Sequence, residues 1–273
     1  MPHCTTRDGQ SLHVKDSGEG RPIVLIHGWP LTGDMWEYQS LALIEAGYRV
    51  ITYDRRGFGQ SSHPATGYDY DTFADDLADV LEAGEVQDAT LIGFSMGGGE
   101  IARYLSRYGS ERVRSVALIA SVVPYLLKDD SNPDGVDYSV FQGMKDGVRK
   151  DRFGFLQSFA KLLYGVGLVS HPVSQGLLDW NFILAIMASP KATIDCIDAF
   201  ATTDFRGDLA AFTVPTLIVH GTADKTVPID IAGRAAAKGI PHATLIEYEG
   251  EPHGLFATAA DRLTTDLLDF VAL

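Results

Sequence analysis

A hydroxyl that attacks a carbonyl carbon needs a turn that exposes it, a base that takes its proton and a carboxylate that steadies the base. Residues 89–100, Ala-Thr-Leu-Ile-Gly-Phe-Ser-Met-Gly-Gly-Gly-Glu, place Ser95 in a G-x-S-x-G sequence between an apolar run and a helix-length stretch. In that context the serine rides a sharp strand-to-helix turn with its oxygen raised above a sheet edge. Gly93 and Gly97 flank it, where a Cβ would collide with neighbouring chain. A dinucleotide loop is the competing reading of such a glycine-rich turn, but the G-x-G-x-x-G spacing it needs is missing.

A serine hydroxyl is a weak nucleophile at neutral pH, so a base must accompany it. Of eight histidines, His253 lies in Gly250-Glu251-Pro252-His253-Gly254, after the last expected strand and before the last helix, where a doubly wound sheet offers its loops to ligands. His27 and His220 also end strands, but each precedes a glycine in a tight turn and reads as a hydrogen-bonded structural histidine. The acid should fall between Ser95 and His253 in the chain. Asp224, in His220-Gly221-Thr222-Ala223-Asp224-Lys225-Thr226-Val227-Pro228, meets that condition, and its carboxylate can hold the imidazole tautomer. Alone it would also fit an Asx turn or a helix N-cap.

Charge that develops on the substrate oxygen calls for preorganised N–H donors. One is the backbone N–H of Met96, at the start of the helix after the nucleophile, where the helix dipole adds to it. The other follows the strand that ends in His27-Gly28-Trp29-Pro30; proline has no N–H, so the donor is Trp29.

These groups must be positioned by a rigid frame. Short apolar runs alternate with helix-length amphipathic stretches, the pattern of parallel strands joined by helical crossovers. Strands are expected at Pro22–Ile26, Tyr48–Tyr53, Ala89–Phe94, Val113–Ala120, Val214–His220 and Ala243–Tyr248. Weaker strands near His3 and Leu12 should form an antiparallel edge hairpin turned by Asp8-Gly9. Helices are expected at Met35–Ala46, Asp71–Ala83, Gly97–Tyr108, Ile229–Lys238 and Ala257–Phe270. Ser121 to Thr213 interrupts this rhythm and is too long for a loop without structure of its own. Its segments Tyr138–Tyr164 and Val173–Ala188 carry helical spacing, so residues 121–213 are expected to form a helical cap inserted after the sixth strand, within a single domain of residues 1–273.

Hydrophobic residues make up 45% of the 273-residue chain and charged ones 21%, too balanced for a disordered or membrane-spanning protein. A formal charge of -14 repels phosphate backbones and anionic lipid, which argues against nucleic-acid and membrane partners. Cys4 and Cys196 are far apart and show no metal-ligand spacing. With no apolar leader or span in the sequence, a reduced, cytoplasmic setting is expected.

The stretches HGWP (27–30), DRRGFGQS (54–61), GFSMGGGE (93–100), HGTADKTVP (220–228) and EPHG (251–254) resemble the α/β-hydrolase superfamily, and within it the cofactor-free haloperoxidase, aryl esterase and perhydrolase group. The resemblance spans essentially the whole chain. It implies an α/β fold with a mostly parallel eight-stranded sheet flanked by helices, Ser95, Asp224 and His253 as catalytic residues, and Trp29 and Met96 as oxyanion donors. It implies no cofactor: halogenation in such a protein needs neither haem nor metal, and follows from peracid that oxidises halide.

The activity expected is cleavage of a small carboxylic ester through an acyl-enzyme, with perhydrolysis of an ester or carboxylic acid by hydrogen peroxide beside it. Lactamase, lactonase and C–C hydrolase reactions on the same triad stay open, as does a ligand receptor with slow turnover; a carboxylate nucleophile, which dehalogenases and epoxide hydrolases need, is excluded by Ser95. Phe159 and Phe200 of the cap, with Pro30 and Val227, are the candidates for substrate contact. Pro30 restricts how Trp29 directs its carbonyl, and in the resembling group a proline there accompanies peracid formation. Asp54 to Ser61 reads as a tight structural turn. A homo-oligomer is left open.

Overall fold

The computed structural model describes residues 3–273. Its frame is one eight-stranded sheet built from β1 (His3–Thr5), β2 (Ser11–Ser17), β3 (Pro22–Ile26), β4 (Arg49–Tyr53), β5 (Ala89–Phe94), β6 (Val113–Ile119), β7 (Thr216–Gly221) and β8 (Ala243–Tyr248). Their order is β1-β2-β4-β3-β5-β6-β7-β8. β1 and β2 run antiparallel to their neighbours and the rest are parallel. The expected eight-stranded, mostly parallel sheet is therefore present, edge hairpin included.

The central strands are continuous apolar runs because helices cover both faces of the sheet. All six residues of β5 and of β7 are buried. α2 (Tyr70–Ala83) and α3 (Met96–Tyr108) turn apolar sides inward, burying Phe73, Leu77, Val80, Ile101 and Leu105. The Asp69 carboxylate accepts from Thr72 N–H at 2.9 Å and starts α2, as an N-cap does. Hinging the sheet on these strands sets β3 beside β5 and β7 beside β8, so the loops beyond their C-terminal ends share one rim.

Several helix boundaries differ from the expectation. The first helix opens with a 3₁₀ turn, Gly33–Trp36, before α1 (Glu37–Glu45). Between β6 and β7 lie α4 (Tyr138–Leu163), α5 (Gln175–Ile186) and α6 (Pro190–Thr202), then a 3₁₀ turn at Arg206–Ala211. α4 bends at Asp151, whose backbone leaves the helical region (φ -158°, ψ 88°) and whose carboxylate accepts from Gly154 N–H at 3.0 Å; an internal N-cap divides what periodicity reads as one helix. The helix expected at Ile229–Lys238 forms as α7 (Gly233–Gly239). The last one splits into α8 (Leu255–Thr258) and α9 (Ala260–Ala272). No described helix is long and apolar enough to cross a membrane.

Candidate active site

Ser95 sits between β5 and α3 with φ 52° and ψ -116°. A side chain rarely tolerates positive φ, and such strain costs on the order of 1–3 kcal/mol. Neighbouring chain enforces it: Ser95 N–H donates to Ile119 C=O at 2.9 Å, and Ser95 C=O accepts from Gly98 N–H at 3.0 Å. The two flanking glycines are steric requirements. A Cβ on Gly93 would lie 2.6 Å from Gly97 O, and one on Gly97 would lie 2.6 Å from Ile26 O.

From this turn Ser95 Oγ lies 2.9 Å from His253 Nε2, while His253 Nδ1 lies 2.6 Å from Asp224 Oδ2. An ionised carboxylate can only accept, so Nδ1 carries the proton and Nε2 is free to take the serine's. The other carboxylate oxygen, Oδ1, accepts from the N–H groups of Thr226 and Val227, both at 2.8 Å. His220 adds a third side. Its Nε2 lies 2.9 Å from Val227 C=O and 3.2 Å from Asp224 Oδ2, so it too is a donor there. Burial alone would raise the Asp224 pKa; electrostatic attraction to His253 and the hydrogen bonds from His220 and His253 outweigh it and hold the carboxyl well below its usual range.

That depression sets an expectation for pH dependence. Asp224 stays ionised across the acid range in which the protein can be assayed, so a hydrolysis that runs through this pair should lose activity through one protonation and not two. A plot of log kcat/KM for p-nitrophenyl acetate against pH should fall on its acid side with a limiting slope of about one. A slope of two would mean that the carboxylate titrates with the histidine.

Two N–H groups stand near Ser95 without an acceptor among the described residues: that of Met96, at the start of α3, and that of Trp29, just past β3. The carbonyl of Trp29 likewise finds no donor there. Gly28 lets this loop approach closely, since a Cβ on it would meet the Phe94 ring at 2.6 Å and Ser95 Cβ at 3.0 Å. The Trp29–Pro30 peptide bond is cis. The indole of Trp29 donates to Thr193 C=O on α6 at 3.0 Å and its ring meets Phe159 and Phe200 edge-on at 5.0 and 5.8 Å. Such contacts, each worth about 0.5–1.5 kcal/mol, fasten the loop to the overlying helices.

A cavity of about 310 Å³ opens from Ser95 and His253 beneath these helices. Its lining includes Trp29, Phe159, Phe200 and Val227, so three of the four candidates for substrate contact face it. Pro30 does not: it is buried in its turn and lies outside the cavity lining. Met96 also stays out of the lining. Leu126, Met144 and Lys225 line the cavity as well and escaped the sequence reading. Lys225 adjoins Asp224 and could have been found there; Leu126 and Met144 carry no local signal. The Asp54 turn is structural, its carboxylate accepting from Gly33 and Gln60 N–H at 2.9 Å each. Among the described residues no group of three or more His, Cys, Asp or Glu converges as a metal site requires.

Comparison with known proteins adds a family. A family model described as "alpha/beta hydrolase fold" matches residues 21–260. A non-heme chloroperoxidase of Kitasatospora aureofaciens is 46% identical over 273 residues, covering 99% of either chain. A bifunctional esterase/perhydrolase of Acinetobacter calcoaceticus is 39% identical over 275 residues, again with 99% of either chain covered. The crystal structure of a bromoperoxidase from Bacillus anthracis superposes with a TM-score of 0.96 at 48% identity, over 99% of each chain.

Proposed function

The chain belongs to the α/β-hydrolase fold family, and from that premise we propose that it is a serine esterase for small carboxylic esters that also makes peracids. The observation that carries this reading is the relay Ser95 Oγ, His253, Asp224 at 2.9 and 2.6 Å beside two N–H groups that lack acceptors among the described residues. In this reading Ser95 Oγ attacks the ester carbonyl while His253 Nε2 takes its proton. The oxyanion rests on the N–H groups of Trp29 and Met96, and the alkoxide leaves with the proton from His253. Water then attacks the acyl-enzyme, again giving its proton to His253, which returns it to Ser95 Oγ as the bond to the acyl carbon breaks and carboxylic acid departs. Hydrogen peroxide in place of water gives a peracid. The cavity is near the lower bound of small-molecule sites, about 300 Å³, and is lined mainly by apolar side chains; it suits a short acyl or aryl ester.

Perhydrolysis rests on Trp29. Its carbonyl, beside Pro30 and without a donor among the described residues, is available to accept from the hydroperoxide that attacks the acyl-enzyme. Pro30→Leu, which frees the turn, should lower the perhydrolysis-to-hydrolysis ratio at fixed peroxide about fivefold, the worth of one hydrogen bond of about 1 kcal/mol. Peracid is measured against released carboxylic acid in parallel; an unchanged ratio discards the role of Pro30. Cys4 and Cys196 are both free and buried, which suits a reducing compartment, and we place the protein in the cytoplasm on that basis.

A further inference from the structure

His27 directly follows β3, is wholly buried, and has its hydrogen-bond partners in Gly28 and Arg55. The backbone N–H of Arg55 lies 2.9 Å from its Nε2. A backbone amide can only donate, so Nε2 is an acceptor. Burial, then the adjacent Arg55 cation, drive the pKa of His27 well down, and a neutral ring has one proton. That proton is on Nδ1, which lies 3.0 Å from Gly28 C=O. The Nη1 of Arg55, 3.5 Å from Nδ1, is then a neighbour and not a donor. Arg55 spends its hydrogen bonds elsewhere: Nε on Glu100 Oε2 at 2.7 Å and Nη2 on His27 C=O at 2.9 Å. Glu100 in turn accepts from Tyr53 OH, so His27, Arg55, Glu100 and Tyr53 form one buried network.

The Gly28 carbonyl belongs to the same peptide unit as the Trp29 N–H. It accepts from His27 Nδ1 and also from Leu31 N–H at 3.0 Å. Two donors on the oxygen fix the plane of that peptide, and they draw electron density from its nitrogen, since linked hydrogen bonds strengthen one another by roughly 10–30% each. We propose that His27 is a positioning residue of the oxyanion hole: its Nδ1–H, locked in place by Arg55 N–H, aims and polarises the Gly28–Trp29 peptide whose N–H meets the substrate oxyanion. This rests on the reading of Trp29 as an oxyanion donor. A sequence shows none of it, because the tautomer is chosen by a residue 28 positions away.

Two substitutions separate this role from mere packing. The amide of His27→Asn puts a nitrogen where Nδ1 was, so the donor to Gly28 is kept and the acceptor for Arg55 is lost. His27→Gln does the reverse. Removing one oxyanion donor costs 10²–10³ in kcat; losing only its alignment should cost His27→Gln about tenfold in kcat for p-nitrophenyl acetate, with KM changed less than about twofold. The Ki of phenylboronic acid, which adds to a serine as a tetrahedral anion, should rise by the same factor. His27→Asn should recover kcat to within about threefold of the parent. In the unsubstituted protein, long-range ¹⁵N–¹H correlation should show the buried His27 ring protonated at Nδ1, a readout independent of how the variants fold. An Nε2–H ring, or a folded His27→Gln with parental kcat and boronate affinity, overturns the proposal. A parent that hydrolyses no ester and takes up no boronate overturns the esterase reading and this one with it, whereas a competent parent with unaffected variants overturns this one alone.

Discussion

Ser95→Ala is expected to lower kcat for p-nitrophenyl acetate on the order of 10⁶-fold, the loss seen when a triad nucleophile is removed elsewhere. Nothing else should change. The substitution deletes Oγ and its contact with His253 Nε2, while the backbone bonds that hold the turn, to Ile119 C=O and from Gly98 N–H, persist. Alanine adopts φ 52° at much the same cost as serine, so the thermal midpoint should stay within a few degrees of the parent. A folded variant with near-parental turnover would remove Ser95 from the chemistry altogether.

Asp224→Asn is expected to lower kcat about 10⁴-fold, as in another triad enzyme, and the structure supplies the reason. Oδ1 accepts from two backbone N–H groups, of Thr226 and Val227, so the amide oxygen must take that side. The NH₂ then replaces Oδ2, facing His253 Nδ1 and the donor Nε2 of His220. Facing a donor, His253 turns to the tautomer with its proton on Nε2, aimed at the hydroxyl it should deprotonate. kcat under saturating ester, with folding followed by circular dichroism, checks the result. Undiminished turnover would place the acid elsewhere, with the end of β6 near Ser121 the next place to look.

The sheet and the residues at its rim were legible because their signals are local. G-x-S-x-G fixes a turn through the steric needs of Gly93 and Gly97, and chain order then selects Asp224 and His253 from loops that end adjacent strands. Helix ends were less legible, since side chains decide them. Asp151 caps a helix inside a stretch that periodicity treats as continuous. α6 carries its own start signal, the Ser189 side chain accepting from Ala192 N–H at 3.0 Å with Pro190 at the first position, and it could have been recognised. The cavity was readable only in part. Phe159 and Phe200 stand out as aromatics, but whether Leu126, Met144 or Pro30 faces the space depends on how α4 and α6 lie over the sheet, which no short sequence pattern encodes. His220 and His27 read as structural histidines, yet their partners, Asp224 for one and the Gly28 peptide for the other, tie both to the site.

The central claim, that Ser95 is the nucleophile of an ester hydrolase, is tested most directly by covalent capture. The protein is treated with an alkyl fluorophosphonate, which transfers its phosphonyl group to an activated serine oxygen with loss of fluoride, and the adduct is located by peptide mass spectrometry while residual esterase activity is followed. The expected result is a single phosphonyl group on Ser95, with activity lost in proportion to its incorporation. Full ester hydrolysis with Ser95 unmodified, or activity that disappears with an adduct on another residue, would contradict it.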